Sequence, residues 1–461
     1  MSFLWQQYAE LEQFKHKIAL RDFSQGEVFT WQQINSRIQC ALQTLRDHSL
    51  QPGQGIALCG KNSLDIVCYY LAGLQLGLRV LMLNPAFTAE KISQLCKVNK
   101  ITYCLFFSSQ LDRLELTQNF SETDRSFDLN EGYTLTLTSG STGLPKAVVH
   151  NINAHLANAE GVCELMHFGC QDSWLLSLPL YHVSGQGVIW RWLNVGAELH
   201  LAGSDFYASV LHATHVSLVP TQLQRLLTYL SASQIDKYHT KHILLGGSQI
   251  PVDLTSQLKS FDIQCYSGYG MTEMASTVFA KKSDGKVGVG QALKGREYQL
   301  VDQEVWLKGA GLASGYWIEN HIQSLTNPQG WFQTRDKAQW LDDELVILGR
   351  LDNMFISGGE NIQPEDIEKC IQRHVSVAQV FILPKDDPEF GQRPVAMVQF
   401  HPAYEFKSAV ENLKIWLSDR IEKFKQPIIY FPLDVEKYQQ QGSIKISRSL
   451  LKAELVKLLG N

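Results

Sequence analysis

Long apolar runs are missing from this 461-residue chain. No stretch comes near the roughly 18 uncharged apolar residues that a membrane helix needs, so no integral membrane segment is expected. Basic charge is scarce too: 41 Lys and Arg stand against 46 Asp and Glu, a formal net charge of -5, and no dense Lys/Arg run offers a footprint for nucleic acid, which is therefore not an expected partner. The nine cysteines (Cys40, Cys59, Cys68, Cys96, Cys104, Cys163, Cys170, Cys265 and Cys370) are odd in number and never spaced as Cys-x-x-Cys. That pattern argues against a disulfide framework and a zinc site, and leaves buried, reduced thiols in a cytoplasmic protein as the expectation. The opening residues MSFLWQQYAELEQFKHKIALRD carry charges throughout and lack the features of a secretory signal. With 14 Pro beside 33 Gly, 44% hydrophobic and 19% charged residues, the composition is that of a globular chain able to bury a large core.

At roughly 150 residues per domain the length allows two or three units. From about residue 54 to 290, short apolar runs (ITYCLFF, TLTLTS, WLLSLPL, AELHLA, THVSLVP, HILLGG) alternate with amphipathic stretches, which argues for α/β layers. The helix after THVSLV starts at Pro220, suited to a first turn, with Leu223, Leu226, Leu227 and Leu230 on one face; the next starts at Pro251. After GRLDN (349–353) the pattern changes to a helix (PEDIEKCIQRH), two strands (SVAQVFILP, VAMVQF), a long amphipathic helix (SAVENLKIWLSDRIEKF) and a last helix after Ser447. The expectation is a large layered α/β domain over 1–350 and a small α+β domain over 351–461.

The segment from Thr134 to Lys146, TLTLTSGSTGLPK, reads as a strand running into a loop of hydroxyls and glycines closed by a lysine. Glycines let backbone N–H groups converge on phosphate oxygens, the hydroxyls donate further hydrogen bonds, and the ammonium adds a point charge. Its spacing is not the Walker pattern, and by composition alone such a loop is more often an ordinary turn.

TLTSGSTGLPKAVVH resembles the signature loop of the adenylate-forming superfamily of acyl-CoA synthetases, adenylation domains and luciferases. The superfamily's other motifs follow in order: Tyr269-Gly-Met-Thr-Glu273, Thr334-Arg-Asp336, Gly349-Arg350-Leu-Asp352, Ser357-Gly-Gly-Glu-Asn361 and Lys445-Ile-Ser-Arg448. The resemblance spans essentially the whole chain. Two motifs depart from the usual form: Thr-Gly-Asp reads Thr334-Arg335-Asp336, and Gly-Lys reads Gly442-Ser-Ile-Lys445.

The resemblance implies ATP, Mg²⁺ and coenzyme A as co-substrates and activator, and a mobile C-terminal domain. It implies that ATP is held by Thr138, Ser139, Gly140, Ser141, Thr142, Gly143 and Lys146, by Gly246, Gly247 and Ser248, by Ser267, Gly268, Tyr269, Gly270, Met271 and Thr272, and by Asp336, Arg350 and Lys445. Glu273 is the expected Mg²⁺ ligand, a hard carboxylate suited to an ion that also grips phosphates. Asp336 is expected at the ribose hydroxyls and Tyr269 at the adenine face. Lys445 is expected to stabilise the charge built up when a carboxylate attacks the α-phosphate, with Thr142, Glu273 and His182 also assigned to catalysis. Asp352 falls at the expected hinge, and Ser357, Gly358 and Gly359 at the expected CoA channel.

The stretches LPLYHVSGQGVIWRW (178–192), SLVPTQL (217–223), TEMAST (272–277) and GSIKISR (442–448) narrow the resemblance to ligases that join o-succinylbenzoate to coenzyme A in menaquinone biosynthesis. That acid keeps a second carboxylate while the first reacts, so a cation belongs in its site. Arg191 lies in an apolar, Trp-flanked segment with no acidic residue from Ser173 to Ala197, and a buried guanidinium needs an anion. Either the ligand supplies it, or Arg191 reaches solvent or an acid from elsewhere. His182, Ser217 and Thr221 are further candidates for the acyl site. The competing readings are a CoA ligase for benzoate-like or fatty acids, a carrier-loading adenylation domain, and a non-catalytic nucleotide-binding relative. Homo-oligomer formation stays open.

Overall fold

The computed structural model describes residues 2–107, 113–116, 131–138, 145–232, 237–247, 250–319, 321–358, 360–435 and 446–460. The chain forms two compact units, Met1–Tyr298 with Leu307–Phe332, and Gln299–Trp306 with Gln333–Asn461.

The first unit is layered. One sheet of nine strands has a parallel centre formed by Gln264–Met271, His242–Leu245, His215–Leu218, Ser173–Leu175, Glu198–Leu201 and Ile18–Asp22. A second sheet of eight strands carries Lys146–Asn151, Tyr133–Thr138, Arg79–Leu83, Gly55–Cys59 and Ile101–Phe106 in its middle. The helices Trp31–Asp47, Leu64–Gln75, Ile152–Met166 and Val183–Val195 contribute with both sheets to one continuous core, which includes Trp31, Ile38, Tyr70, Val162, Trp190 and Trp192. Helix Pro220–Ala232 covers another face of the nine-stranded sheet with Leu223, Leu226, Leu227 and Leu230, all buried, and helix Ala89–Val98 covers the eight-stranded one.

The apolar runs land on strands as expected, with two refinements. Of WLLSLPL only the first two residues are in a strand, Ser173–Leu175, and Pro251 is the cap of helix Val252–Gln257 and not its first residue. Six of the nine cysteines are buried and all nine are free, but Cys40 is exposed and Cys170 and Cys370 are half-buried. No helix among the described residues is long and apolar enough to cross a membrane.

In the second unit the strand Phe332–Leu341 pairs antiparallel with Glu344–Arg350, which places Asp336 opposite Arg350. A short 3-10 turn, Leu351–Asn353, leads into a sheet built on the long hairpin Val377–Asp387 and Gly391–Phe400, packed by helices Pro364–Ile371, Phe406–Ser418 and Arg448–Leu458. The long amphipathic helix stops at Ser418, before the expected end at Phe424; a separate 3-10 turn follows at Lys423–Lys425. Compactness divides the chain at Phe332 and Gln333, and the expected pivot at Asp352 lies inside the second unit.

Candidate active site

Period-two alternation decides which side chains of the nine-stranded sheet meet helix Val183–Val195. Leu175, Val216 and Leu218 enter one core cluster, so Trp174, His215 and Ser217 face the opposite way. Arg191 on that helix is 1% exposed. Its Nη1 donates to Ser217 Oγ at 3.3 Å and its Nη2 to Ser276 Oγ at 3.4 Å, and its guanidinium lies 4.8 Å from the centroid of the Trp174 ring. Nε has no partner. Arg191 reaches neither solvent nor, among the described residues, a carboxylate, and burial pulls its pKa down to about 10. Gly187, one turn before Arg191, makes room: a Cβ there would stand 3.2 Å from Nη2 and 3.3 Å from Ser276 Oγ.

Of the residues expected at the acyl site, the fold therefore brings Arg191 and Ser217 together. His182 is the half-buried N-cap of the same helix, about 13 Å along its axis from Arg191. Thr221 is exposed in the first turn of helix Pro220–Ala232 and takes no part in the Arg191 cluster. Trp174, Gly187 and Ser276 were not expected here; the only sequence signal for them is the glycine one helical turn from the arginine.

Two of the motifs expected at the nucleotide, around Gly246 and Ser267, lie at two adjacent parallel strands, whose C-terminal ends are where α/β sheets commonly bind ligands. Leu245 is in register with Ser267, so the Gly246-Gly247 turn, with Gly247 at φ +93°, lies beside Gly268; a Cβ on Gly246 would be 3.7 Å from the Gly268 carbonyl oxygen. Ser267 spends its hydroxyl on Ser283 at 2.8 Å. A register shift at Tyr269/Gly270 follows, and a Cβ on Gly270 would come within 2.2 Å of the Ser276 carbonyl oxygen, so only glycine fits. Met271 and Thr272 lead into the 3-10 turn Thr272–Met274 that carries Glu273. Its carboxylate accepts a 2.7 Å hydrogen bond from Tyr316, whose ring lies 5.3 Å from Lys146 Nζ. Thr138 donates to the Lys146 carbonyl at 3.4 Å. Glu273, Tyr316 and Lys146 thus form one cluster; Tyr316, 43 residues from Glu273, belongs to none of the motifs.

Behind this cluster two imidazoles are fully buried. His155 Nε2 is 2.8 Å from Thr134 Oγ1, and its ring stacks on Trp190 and lies 4.9 Å from His150. Burial lowers His150 to about 4 and drives His155 well below the usual imidazole range.

In the second unit Asp336 accepts from Arg350 at 3.1 Å, Arg350 also pairs with Asp352 at 2.9 Å, and Arg335 pairs with Asp352 at 3.1 Å. Burial raises the Asp352 pKa, but the hydrogen bonds from Arg350 and Arg335 outweigh it and hold the carboxyl below its usual range. Arg335 sits at φ +61°, a conformation that suits the glycine usual at this position of the motif. Ser357 is fully buried and Gly358 adopts φ +59°. Arg448 is bound to both carboxylate oxygens of Glu368 at 2.6 Å and to the Ile382 carbonyl at 2.7 Å, anchoring the last helix. Ser139, Gly140, Ser141, Thr142, Gly143, Ser248, Gly359 and Lys445 lie outside the described residues.

Residues 7–317 match the AMP-binding enzyme family. The chain is 56% identical over 453 residues to the 2-succinylbenzoate–CoA ligase of Haemophilus influenzae, covering 98% of each, and 42% identical over 441 residues to that of Escherichia coli K12, covering 94% of each. A solved structure of an Arg-to-Lys variant of E. coli MenE with bound OSB-AMS superposes with a TM-score of 0.84 at 38% identity, covering 98% of each chain. The chain belongs to the AMP-binding enzyme family and, within it, to the 2-succinylbenzoate–CoA ligases.

Proposed function

We propose that this protein uses ATP to activate o-succinylbenzoate as an acyl-adenylate and transfers the acyl group to coenzyme A, releasing AMP and pyrophosphate, as a step of menaquinone biosynthesis. The observation that carries the choice of acid is Arg191: a guanidinium closed to solvent, held by two hydroxyls and an indole face, with no carboxylate beside it among the described residues. An unpaired buried charge is costly, and the ring carboxylate of the substrate offsets that cost on binding. An apolar monocarboxylic acid would leave the arginine unpaired.

Mg²⁺ fits the Glu273 cluster. Among the described residues no group of three His, Cys, Asp or Glu surrounds a metal position, and Mg²⁺ in nucleotide sites takes one or two carboxylates with the phosphates supplying the rest. In this reading Glu273 holds the ion that neutralises the phosphates, Tyr316 fixes the carboxylate, and Lys146 adds positive charge near the phosphate loop. Tyr269 and the Gly246-Gly247 turn take the adenine, Asp336 the ribose, and Lys445 the charge that develops at the α-phosphate. His182 is kept as a wall of the acyl site. Rotation about Asp352 then presents Ser357, Gly358 and Gly359 to the thiol. We place the reaction in the cytoplasm, where free thiols stay reduced.

The test is AMP release by the purified protein with ATP, Mg²⁺ and coenzyme A, comparing o-succinylbenzoate with benzoate and a medium-chain fatty acid. AMP with o-succinylbenzoate alone is the expected result; preference for another acid would overturn the assignment of the substrate.

A further inference from the structure

We propose that Trp174 is the positioning residue of the Arg191 subsite, holding the guanidinium with its ring face and turning the Ser217 hydroxyl into an obligate hydrogen-bond donor. This rests on the reading that Arg191 receives the second carboxylate of the acid.

Two contacts of one indole carry the inference. The ring centroid lies 4.8 Å from the Arg191 guanidinium, where the negative face of the ring partly offsets the missing counter-ion. The Nε1–H of the same ring donates to Ser217 Oγ at 3.2 Å, and Arg191 Nη1 donates to the same oxygen at 3.3 Å. Indole and guanidinium nitrogens are donors only, so both lone pairs of the hydroxyl oxygen are occupied and its proton can go to neither neighbour. No acceptor among the described residues takes that proton. The Ser217 hydroxyl is therefore an unmet donor beside the guanidinium, and an acceptor-only group, a carboxylate, satisfies it while pairing with the charge.

The indole is itself held. It is fully buried, with Phe168 edge-on at 4.9 Å and His215 at 5.3 Å, and His215 is bonded through Nε2 to the Met166 carbonyl at 3.0 Å. Its backbone is fixed opposite His215 by the strand register. The donor set is thus preorganised by rigid elements, and a ligand need not order it.

The experiment measures kcat/KM for o-succinylbenzoate and for 4-oxo-4-phenylbutanoate, the same acid without the ring carboxylate, on each preparation. The ratio cancels any inactive fraction. Trp174→Phe keeps a ring face and removes the N–H that orients the Ser217 hydroxyl; the ratio is expected to fall by about threefold to tenfold, the order of one hydrogen bond between neutral groups. Ser217→Ala should fall at least as far, because it removes the hydroxyl's own bond to the carboxylate as well as the bond from Trp174, and the double variant should fall no further than Ser217→Ala. Trp174→Leu, which also removes the ring face, should fall further; if it does not fold, Trp174→Phe carries the test alone. A high wild-type ratio unchanged in Trp174→Phe would overturn the role of Trp174 while leaving Arg191 in place. A wild-type ratio near one would overturn the reading of Arg191 itself.

Discussion

The guanidinium of Arg191 lies 3.3 Å from the hydroxyl of Ser217, closed to solvent and with no carboxylate to pair with among the described residues. A buried charge in that state costs several kcal/mol, and a protein keeps it where a ligand completes the pair. In the function proposed above the same arrangement sets the choice of acid, since an acid without a second carboxylate would have to be bound without relieving that cost.

Ser276 holds the other arm of the fork, at 3.4 Å from Nη2. Ser276→Ala removes that acceptor from a charged donor, which corresponds to about 1.5–3 kcal/mol. The expected result is a rise of tenfold or more in KM for o-succinylbenzoate with kcat little changed, measured by steady-state AMP release; an unchanged KM would remove Ser276 from the site.

Tyr316 donates to Glu273 at 2.7 Å. With Glu273 as the Mg²⁺ ligand, loss of such an outer partner costs 10–100-fold in metal affinity or activity as an order of magnitude. Tyr316→Phe should raise the Mg²⁺ concentration for half-maximal rate by about that factor and recover much of its rate at saturating Mg²⁺, while Glu273→Gln should not recover. Chelation should abolish AMP release. Equal Mg²⁺ dependence in Tyr316→Phe and the parent would exclude this role.

Stability should fall on mild acidification. Burial lowers His150 and His215 to about 4 and His155 well below the usual range. The folded chain keeps these rings neutral while the unfolded chain protonates them below about 6.5, so between about 6.5 and 4 the unfolded state binds more protons. The stability is present in full above that window and is lost as pH falls through it, by up to about 1.4 kcal/mol per pH unit for each ring. Denaturant titrations at pH 7 and pH 5 check the slope, and His155→Phe should flatten it. Because His150 and His155 lie behind the Glu273 turn, activity should fall with stability; a flat profile would show that the rings titrate normally.

Arg335 occupies φ +61°, which costs a side-chain-bearing residue about 1–2 kcal/mol. Arg335→Gly and Arg335→Ala both delete the ion pair to Asp352, so their difference isolates the backbone term. Arg335→Gly should be the more stable by about 1 kcal/mol in thermal unfolding; equal stabilities would mean that the turn imposes no such strain.

Much of this architecture was legible because it depends on local pattern. The runs around Ile101, Leu135, Val216 and Ile243 are strands, and Leu223, Leu226, Leu227 and Leu230 cover one face of their helix. The arginine without a neighbouring acid could be read too, because an apolar segment around a charge is a local feature. What could not be read depends on register. Trp174 and Ser217 are 43 residues apart, and their contact follows from which strands lie side by side. Ser276 and Tyr316 reach Arg191 and Glu273 only through the pairing of the sheets. The left-handed turn at Arg335 was hidden by a residue type that rarely adopts it, although the usual glycine of the motif was the clue.

The most direct test of the account is kcat/KM for o-succinylbenzoate and 4-oxo-4-phenylbutanoate in the parent protein and in Arg191→Ala. Removing one partner of a buried charge pair costs about 2–5 kcal/mol, so the first substrate should lose at least 30-fold, as an order of magnitude, and the second little or nothing. Equal losses on both substrates, or none on either, would contradict the pairing of Arg191 with the second carboxylate.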